Sequence, residues 1–86
     1  MKKKYSFDVR EIDAWNSPEG WTWNESYHIG NMETAAKDEK KALSAYLARH
    51  GIKFKKNRTR IIDDGEIIEI QDRRTQEPLY AAIPNF

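Results

Sequence analysis

The sequence predicts an α+β fold in which an antiparallel sheet carries one helix on one of its faces. Three observations predict it: alternating strand patterns near the start, one stretch with helical spacing, and turn signals that divide the last third into three strands. No repeat or linker interrupts the 86 residues. The chain is therefore predicted to form a single domain, residues 1–86, in the order β-β-α-β-β-β.

The first two strands are predicted from apolar residues at alternate positions. Tyr5, Phe7 and Val9 alternate with polar residues, and the pattern slips afterwards, which predicts a bulge or bend near Glu11. Asn, Ser, Pro and Gly at positions 16–20 predict the turn to the second strand. The second strand is expected to end at Gly30 and to place four apolar residues on one face: Trp21, Trp23, Tyr27 and Ile29.

The helix is predicted over residues 34–50, with Thr34 as its N-cap. Gly51 is expected to end it, with Ile52 packing back on the last turn. Its apolar stripe consists of Ala42, Leu43, Tyr46 and Leu47.

The last third is predicted to be a three-stranded meander. Asp64 and Gly65 favour a two-residue type I′ turn, which sets Ile61 opposite Ile68 and Arg60 opposite Glu69. A longer loop at positions 72–77 sets Ile70 opposite Leu79. These registers predict that the helix packs on Ile61, Ile68, Ile70, Leu79, Ala81 and Ile83. The opposite face then carries Ile62, Ile67, Tyr80 and Ala82.

The face turned away from the helix is the predicted partner surface. Ile62, Ile67 and Tyr80 form an apolar patch of the kind that marks protein interfaces. It favours a protein partner or a weak homodimer, although the Trp21/Trp23 hairpin folding over it is an alternative. Trp15, beside a turn, is predicted to be the most exposed tryptophan and joins this candidate surface.

Charge segregation suggests an alternative function. Residues 40–62 contain eight lysines and arginines and no acid, whereas residues 63–72 contain five acids and no base. A basic strand could track phosphates, which predicts nucleic-acid contacts at Lys53, Lys55, Lys56, Arg58 and Arg60. The other interpretation is that Arg60 pairs with Glu69 and the lysines protect a sheet edge.

Catalytic, metal and cofactor sites are not predicted. Ser26 and His28 share a strand face but lack the setting that activates a serine. The two histidines are far apart, and the acids at positions 63–66 lack the alternate spacing of a calcium loop. The chain has no cysteine. We expect a non-enzymatic protein without cofactor or metal.

A cytoplasmic location is the default expectation. The lysines after Met1 are not followed by the apolar run of a signal peptide. No stretch approaches the roughly 20 apolar residues of a membrane span.

Three runs carry a resemblance to other proteins: EIDAW at positions 11–15, EGWTWN at 19–24 and DDGEIIEI at 63–70. They resemble small uncharacterised proteins of bacterial mobile elements. The resemblance spans most of the chain and implies a cytoplasmic accessory protein. It carries no catalytic or binding residue over to this chain.

Overall fold

The computed structural model describes residues 4–35, 38–52 and 57–85. They form one antiparallel five-stranded sheet and one helix, in the predicted order of elements. Strand residues far outnumber the 11 helical ones. The elements are β1 (Lys4–Ser17), β2 (Gly20–Ala35), α1 (Glu39–Arg49), β3 (Thr59–Asp63), β4 (Ile68–Asp72) and β5 (Pro78–Pro84).

The sheet has the strand order β2-β1-β5-β4-β3, so the first hairpin and the C-terminal meander join where β1 pairs with β5. The helix packs on one face, which we call the covered face. Because every other described element is a strand of the same sheet, no described helix or strand covers the opposite, open face.

Strand β2 is longer than predicted and contains two bulges. Its pairing with β1 continues to Ala35, so Gly30 does not end the strand and Thr34 is not a helix N-cap. Register shifts leave Ile29 and Asn24 as extra residues of β2. The predicted single apolar face of β2 is therefore wrong. The extra Asn24 reverses the alternation, so Trp21 and Trp23 lie on the opposite face from Tyr27.

The helix begins five residues later than predicted, after Asp38, whose side chain makes no capping hydrogen bond. Its C-terminus is as predicted. Gly51 has a φ of 78°, and the amides of Gly51 and Ile52 donate to the carbonyls of Ala48 and Leu47. This pattern is a Schellman motif, in which glycine is favoured because the backbone turns left-handed.

The core lies between the helix and the covered face. Leu43 and Leu47 are fully buried against residues from four of the five strands. The buried strand residues of this core are Phe7, Val9, Met32, Ile68, Ile70 and Ala82. Ile12 and Ala81 are also buried, on the open face. Gly30 lets the helix approach β2 closely, because a Cβ built there would overlap the Tyr46 hydroxyl.

The β3–β4 connection is wider than the predicted two-residue turn. Asp63 pairs with Ile68 and Ile61 with Ile70, which displaces the predicted register by two residues. The aspartates explain the wider loop. The Asp63 carboxylate accepts the amide of Gly65, and Asp64 Oδ1 accepts the amides of Glu66 and Ile67 at 2.9 and 2.8 Å. These side chains satisfy amides that the tight turn would have left facing solvent.

The β4–β5 register is also different from the prediction. Gln71 pairs with Pro78 and Ile70 pairs with Tyr80, which leaves Leu79 as an extra residue. A displacement by one residue exchanges the faces of a strand. Tyr80 and Ala82 therefore pack on the covered face, and Leu79, Ala81 and Ile83 belong to the open face.

Candidate functional site

The predicted apolar patch of Ile62, Ile67 and Tyr80 is not assembled by the structure. Tyr80 packs against the core on the covered side. Ile62 pairs with Glu69 and lies on the open face, and Ile67 lies in the β3–β4 loop. Tyr80 changed faces because the β4–β5 register is displaced by one residue, and Ile67 left the strand because the β3–β4 loop is wider than predicted. Trp15 is the one member of the predicted surface that the structure leaves prominently exposed, at 53%.

Trp15 lies on a two-stranded arm. The last pair between β1 and β5 joins Glu11 to Tyr80, whereas β1 and β2 continue to pair as far as Ser17 and Gly20. Residues 12–17 and 20–26 therefore have only each other as strand partners. We call this segment the arm. It contributes to the elongated shape of the molecule, which measures 46 × 27 × 20 Å.

One face of the arm combines exposed aromatic rings with acids. On the side that continues the covered face, Trp15 and Tyr27 are 53% and 52% exposed. The cross-strand pairs Glu11–Tyr27 and Asp13–Glu25 place three carboxylates around them. Glu11 and Tyr27 form the pair at the base of the arm, and the other three residues lie on the arm itself. We call these five residues the arm face: Glu11, Asp13, Trp15, Glu25 and Tyr27. Such a face offers aromatic contact area together with negative charge.

Tyr27 is coupled to these carboxylates. Its hydroxyl donates to Glu25 Oε2 at 2.5 Å. The hydrogen bond to Glu25 and the charge of Glu25 raise the pKa of Tyr27, and Asp13 and Glu11 add to the effect. The phenol therefore remains a neutral donor around neutral pH, with its orientation set by Glu25.

The open face carries a hydrogen-bonded network between β1 and the edge strand β2. Asp8 Oδ1 accepts from His28 Nδ1 at 2.5 Å, and Asp8 Oδ2 accepts from Arg10 Nη1 at 2.9 Å. Arg10 also donates to the hydroxyl and the carbonyl of Ser26, at 2.7 and 3.0 Å. Partial burial acts to raise the pKa of Asp8, but the bonds from His28 and Arg10 outweigh it and lower that pKa.

This network joins the predicted Ser26/His28 row in a way that does not resemble a catalytic triad. The Ser26 hydroxyl receives its hydrogen bond from Arg10, and His28 is bonded to Asp8 instead. A nucleophilic serine needs a base that takes its proton, and a guanidinium is not such a base. The arrangement links β1 to β2 across the open face.

The predicted basic segment is only partly described. Lys53, Lys55 and Lys56 lie outside the described residues. Arg60 donates from Nε and Nη2 to Gln71 Oε1 at 3.3 and 3.1 Å, so the expected pairing with Glu69 is wrong. The cause is again the register, which sets Arg60 opposite Gln71.

Arg58 belongs to a cleft that sequence reasoning missed. The cleft has a volume of about 380 Å³ and is lined by Asn57, Arg58, Asp72, Arg73 and Arg74. Thr59 pairs with Asp72, and this pairing brings the β4–β5 turn next to the residues that precede β3. The predicted pairing of β3 with β4 was the signal from which the proximity of Arg73 and Arg74 to Arg58 could have been found. We call this site the arginine cleft.

A second cleft, of about 670 Å³, lies between the start of the helix and the β3–β4 loop. Phe7, Ile68 and Pro84 contribute apolar surface, and acidic residues of the helix and loop lie around it. No buried side-chain nitrogen or oxygen atom of the described residues lacks a hydrogen-bond partner. The cleft therefore has no buried unpaired group to fix a ligand.

Two further features of the described residues bear on function. None of their His, Asp and Glu side chains form a group of three that could hold a metal ion. The one helix that they form is too short and too polar to cross a membrane.

Comparison of the chain with protein-family models, curated proteins and solved structures found no significant match. The resemblance to proteins of bacterial mobile elements stays a prediction, and the function is argued from the geometry.

Proposed function

We propose that this chain is a non-enzymatic accessory protein of the cytoplasm that binds a protein partner through the arm face. The observation that carries the proposal is the half-exposure of Trp15 and Tyr27 on one face of the two-stranded arm and its base. Tryptophan and tyrosine dominate the energetics of many protein interfaces, because each buries a large rigid surface when a partner covers it. The small size of the single domain agrees with a binding module.

The charges of the arm face define the partner's chemistry. Glu11, Asp13 and Glu25 surround the two rings, and no salt bridge engages these carboxylates within the described part of the chain. A complementary surface would present basic side chains around an apolar groove that accepts the rings. Nucleic acid is disfavoured at this site, because its phosphates would meet three carboxylates.

A homodimer through the arm face is disfavoured for the same reason. A two-fold symmetric contact brings the same patch of both subunits together. Two copies of the arm face would set three carboxylates against three carboxylates, at a cost of several kcal/mol for like charges in a desolvated interface. A different protein with a basic surface is the better occupant.

The rival class of function is an enzyme, and the geometry offers it less support. His28 does meet a carboxylate, Asp8, but it lies half-exposed on the sheet face. Arg10 donates a hydrogen bond to the hydroxyl of Ser26, the nearby candidate nucleophile. The network is better explained as a link between strands.

The test is capture of the partner from a lysate of the native host by the tagged protein. The double variant Trp15→Ala/Tyr27→Ala should lose the partner, and Glu11→Lys/Glu25→Lys should lose it at physiological salt. Tyr5→Ala is the matched control, because it removes an exposed aromatic from the other end of β1.

The purified partner should then bind the parent protein with an affinity that falls as salt rises. Recovery of the same partner by the parent and by both arm variants would overturn the proposal, as would a captured partner whose binding is indifferent to salt.

The alternative function, binding of nucleic acid through residues 53–60, stays a prediction. Of its five residues, Arg58 and Arg60 lie in the described part of the chain, and Arg60 is hydrogen-bonded to Gln71.

A further inference from the structure

The arginine cleft gathers three cationic side chains at one end of the meander. Arg58 precedes β3, and Arg73 and Arg74 occupy the turn between β4 and β5. The amide of Arg73 donates to the carbonyl of Arg58 at 2.7 Å, which fixes the two segments against each other. The side chains therefore project from a backbone that pairing and turn geometry hold in place.

The positive charge of this cleft is only partly neutralised. Its one carboxylate, Asp72, uses Oδ1 to accept the amides of Arg74 and Thr75, both at 2.9 Å. Among the described residues, no carboxylate forms a salt bridge with Arg58, Arg73 or Arg74. Three guanidinium groups against one carboxylate leave an excess of two positive charges. Guanidinium groups in this arrangement suit phosphate, which they bind through paired N–H donors.

An aromatic side chain of the arm lies beside the same turn. Trp21 Nε1 donates to the carbonyl of Thr75 at 2.8 Å, across a sequence separation of 54 residues. Trp21 is half-buried. The contact is independent of the arginines, and it places an indole ring next to the residue that follows Arg74.

Single-strand recognition has two components. Basic side chains follow the phosphate backbone, and a base stacks on an aromatic ring. Duplex DNA offers phosphates but keeps its bases stacked on each other, so it would use only the first component. A cleft of about 380 Å³ is also within the size range of pockets that hold small ligand groups.

We propose that the arginine cleft and Trp21 form a binding site for single-stranded nucleic acid. Arg58, Arg73 and Arg74 contact successive phosphates, and a base stacks on Trp21. This site is separate from the arm face, so either proposal can fail alone.

The test is fluorescence anisotropy of the full chain with a labelled single strand of about 12 nucleotides, a length within the site sizes of single-strand binders. The duplex of the same sequence is measured in parallel. Three phosphate contacts predict a log–log salt slope of about −2 for the single strand. Arg73→Glu/Arg74→Glu should weaken binding more than about tenfold and flatten that slope. Trp21→Ala should lower the affinity for the single strand by about tenfold and the affinity for the duplex much less.

Lys40→Glu/Lys41→Glu is the matched control, because it changes the net charge equally on exposed helix residues that follow Glu39, which borders the β3–β4 loop at the other end of β3. This control protein should keep most of the parent's affinity for the single strand. Trp21→Phe, which keeps an aromatic ring, should retain the preference for the single strand over the duplex. Circular dichroism confirms that each variant is folded. Three results would each overturn the proposal. They are an equal loss of affinity in both charge-reversal variants, equal affinity for duplex and single strand, and no binding at tens of micromolar protein.

Discussion

The β1–β2 hairpin has two regions: a half that the helix covers, which we call the covered half, and the arm. Both are built from the same two strands, but their surroundings differ. In the covered half, Phe7 and Val9 of β1 and Met32 of β2 are buried beneath the helix. On the arm face, Trp15 and Tyr27 of the same strands are half-exposed. One end of the hairpin has a helix and three further strands to pack against, whereas the arm pairs only within itself and meets the β4–β5 turn through the hydrogen bond from Trp21 to Thr75.

This difference separates the residues that stabilise the fold from those available for binding. An isolated two-stranded hairpin is marginally stable in water, so the arm depends on its continuity with the five-stranded part of the sheet. Ile12 of the arm is buried and Trp21 and Trp23 are half-buried, whereas Trp15 and Tyr27 are half-exposed and contribute little to a core. The exposure of these two rings is explained better by an external partner than by folding.

The largest difference between the two regions is expected when one large side chain is truncated in each. Leu47→Ala should lower the free energy of unfolding by about 2–5 kcal/mol, because Leu47 is fully buried and leaves a cavity. Trp15→Ala should change it by no more than about 0.5 kcal/mol. Urea unfolding followed by circular dichroism measures both. Equal losses would mean that the arm takes part in the core.

A second change tests how closely the helix approaches the covered half. Gly30→Ala should destabilise the protein by about 1–3 kcal/mol, because the added methyl group meets the Tyr46 hydroxyl. Adding Tyr46→Phe to this variant removes the obstructing oxygen and should recover part of the loss. A Gly30→Ala protein as stable as the parent would show that helix and sheet are packed less tightly than described.

A smaller effect is expected from the turns of the meander. Backbone amides of Ile67 and Glu66 lower the pKa of Asp64 below 3.8, and those of Thr75 and Arg74 do the same for Asp72. Because the folded pKa is depressed, each carboxylate stabilises the fold above its unfolded pKa, and this stabilisation is lost as pH falls through the folded value.

The variants Asp64→Asn and Asp72→Asn keep an acceptor oxygen and lose the titration. Their melting temperatures should fall less steeply than the parent's as pH falls from about 5 to about 2. Thermal melts at a series of pH values measure this, and parallel curves for parent and variants would contradict the assigned turn contacts.

Periodicity was sufficient to predict the helix stripe, its C-terminal stop and the order of elements. Leu43 and Leu47 are buried as predicted, and Gly51 ends the helix in the expected conformation. These features depend on residues within one or two turns of each other, so the local sequence determines them.

Faces and registers were less predictable, because one bulge moves every later side chain of a strand. Nothing in the residues around Asn24 or Leu79 marks them as the extra residues in their pairings. Each bulge depends on how distant strands fit together. Tyr80 left the predicted partner patch for this reason, and Ile67 left it because the β3–β4 loop is wider than predicted. The exposure of Trp15 depended on its place near a turn and was predicted.

The arginine cleft was also not predicted, because it depends on which strands pair. Arg73 and Arg74 follow an acidic segment and were counted as loop residues. Their proximity to Arg58 arises only once β3 and β4 are paired. Charge patterns along the chain identified the basic segment and missed the cluster that the hairpin assembles.

Native-state hydrogen exchange tests most directly whether the two halves of the hairpin differ as described. Amides of Val9, Ile68 and Ile70 that take part in the ladder should exchange only through global unfolding. Those of the arm between Ala14 and Trp23 should exchange through a local opening of clearly lower free energy. Arm amides as strongly protected as those of Ile70 would contradict the account, because the arm would then be part of the cooperative core.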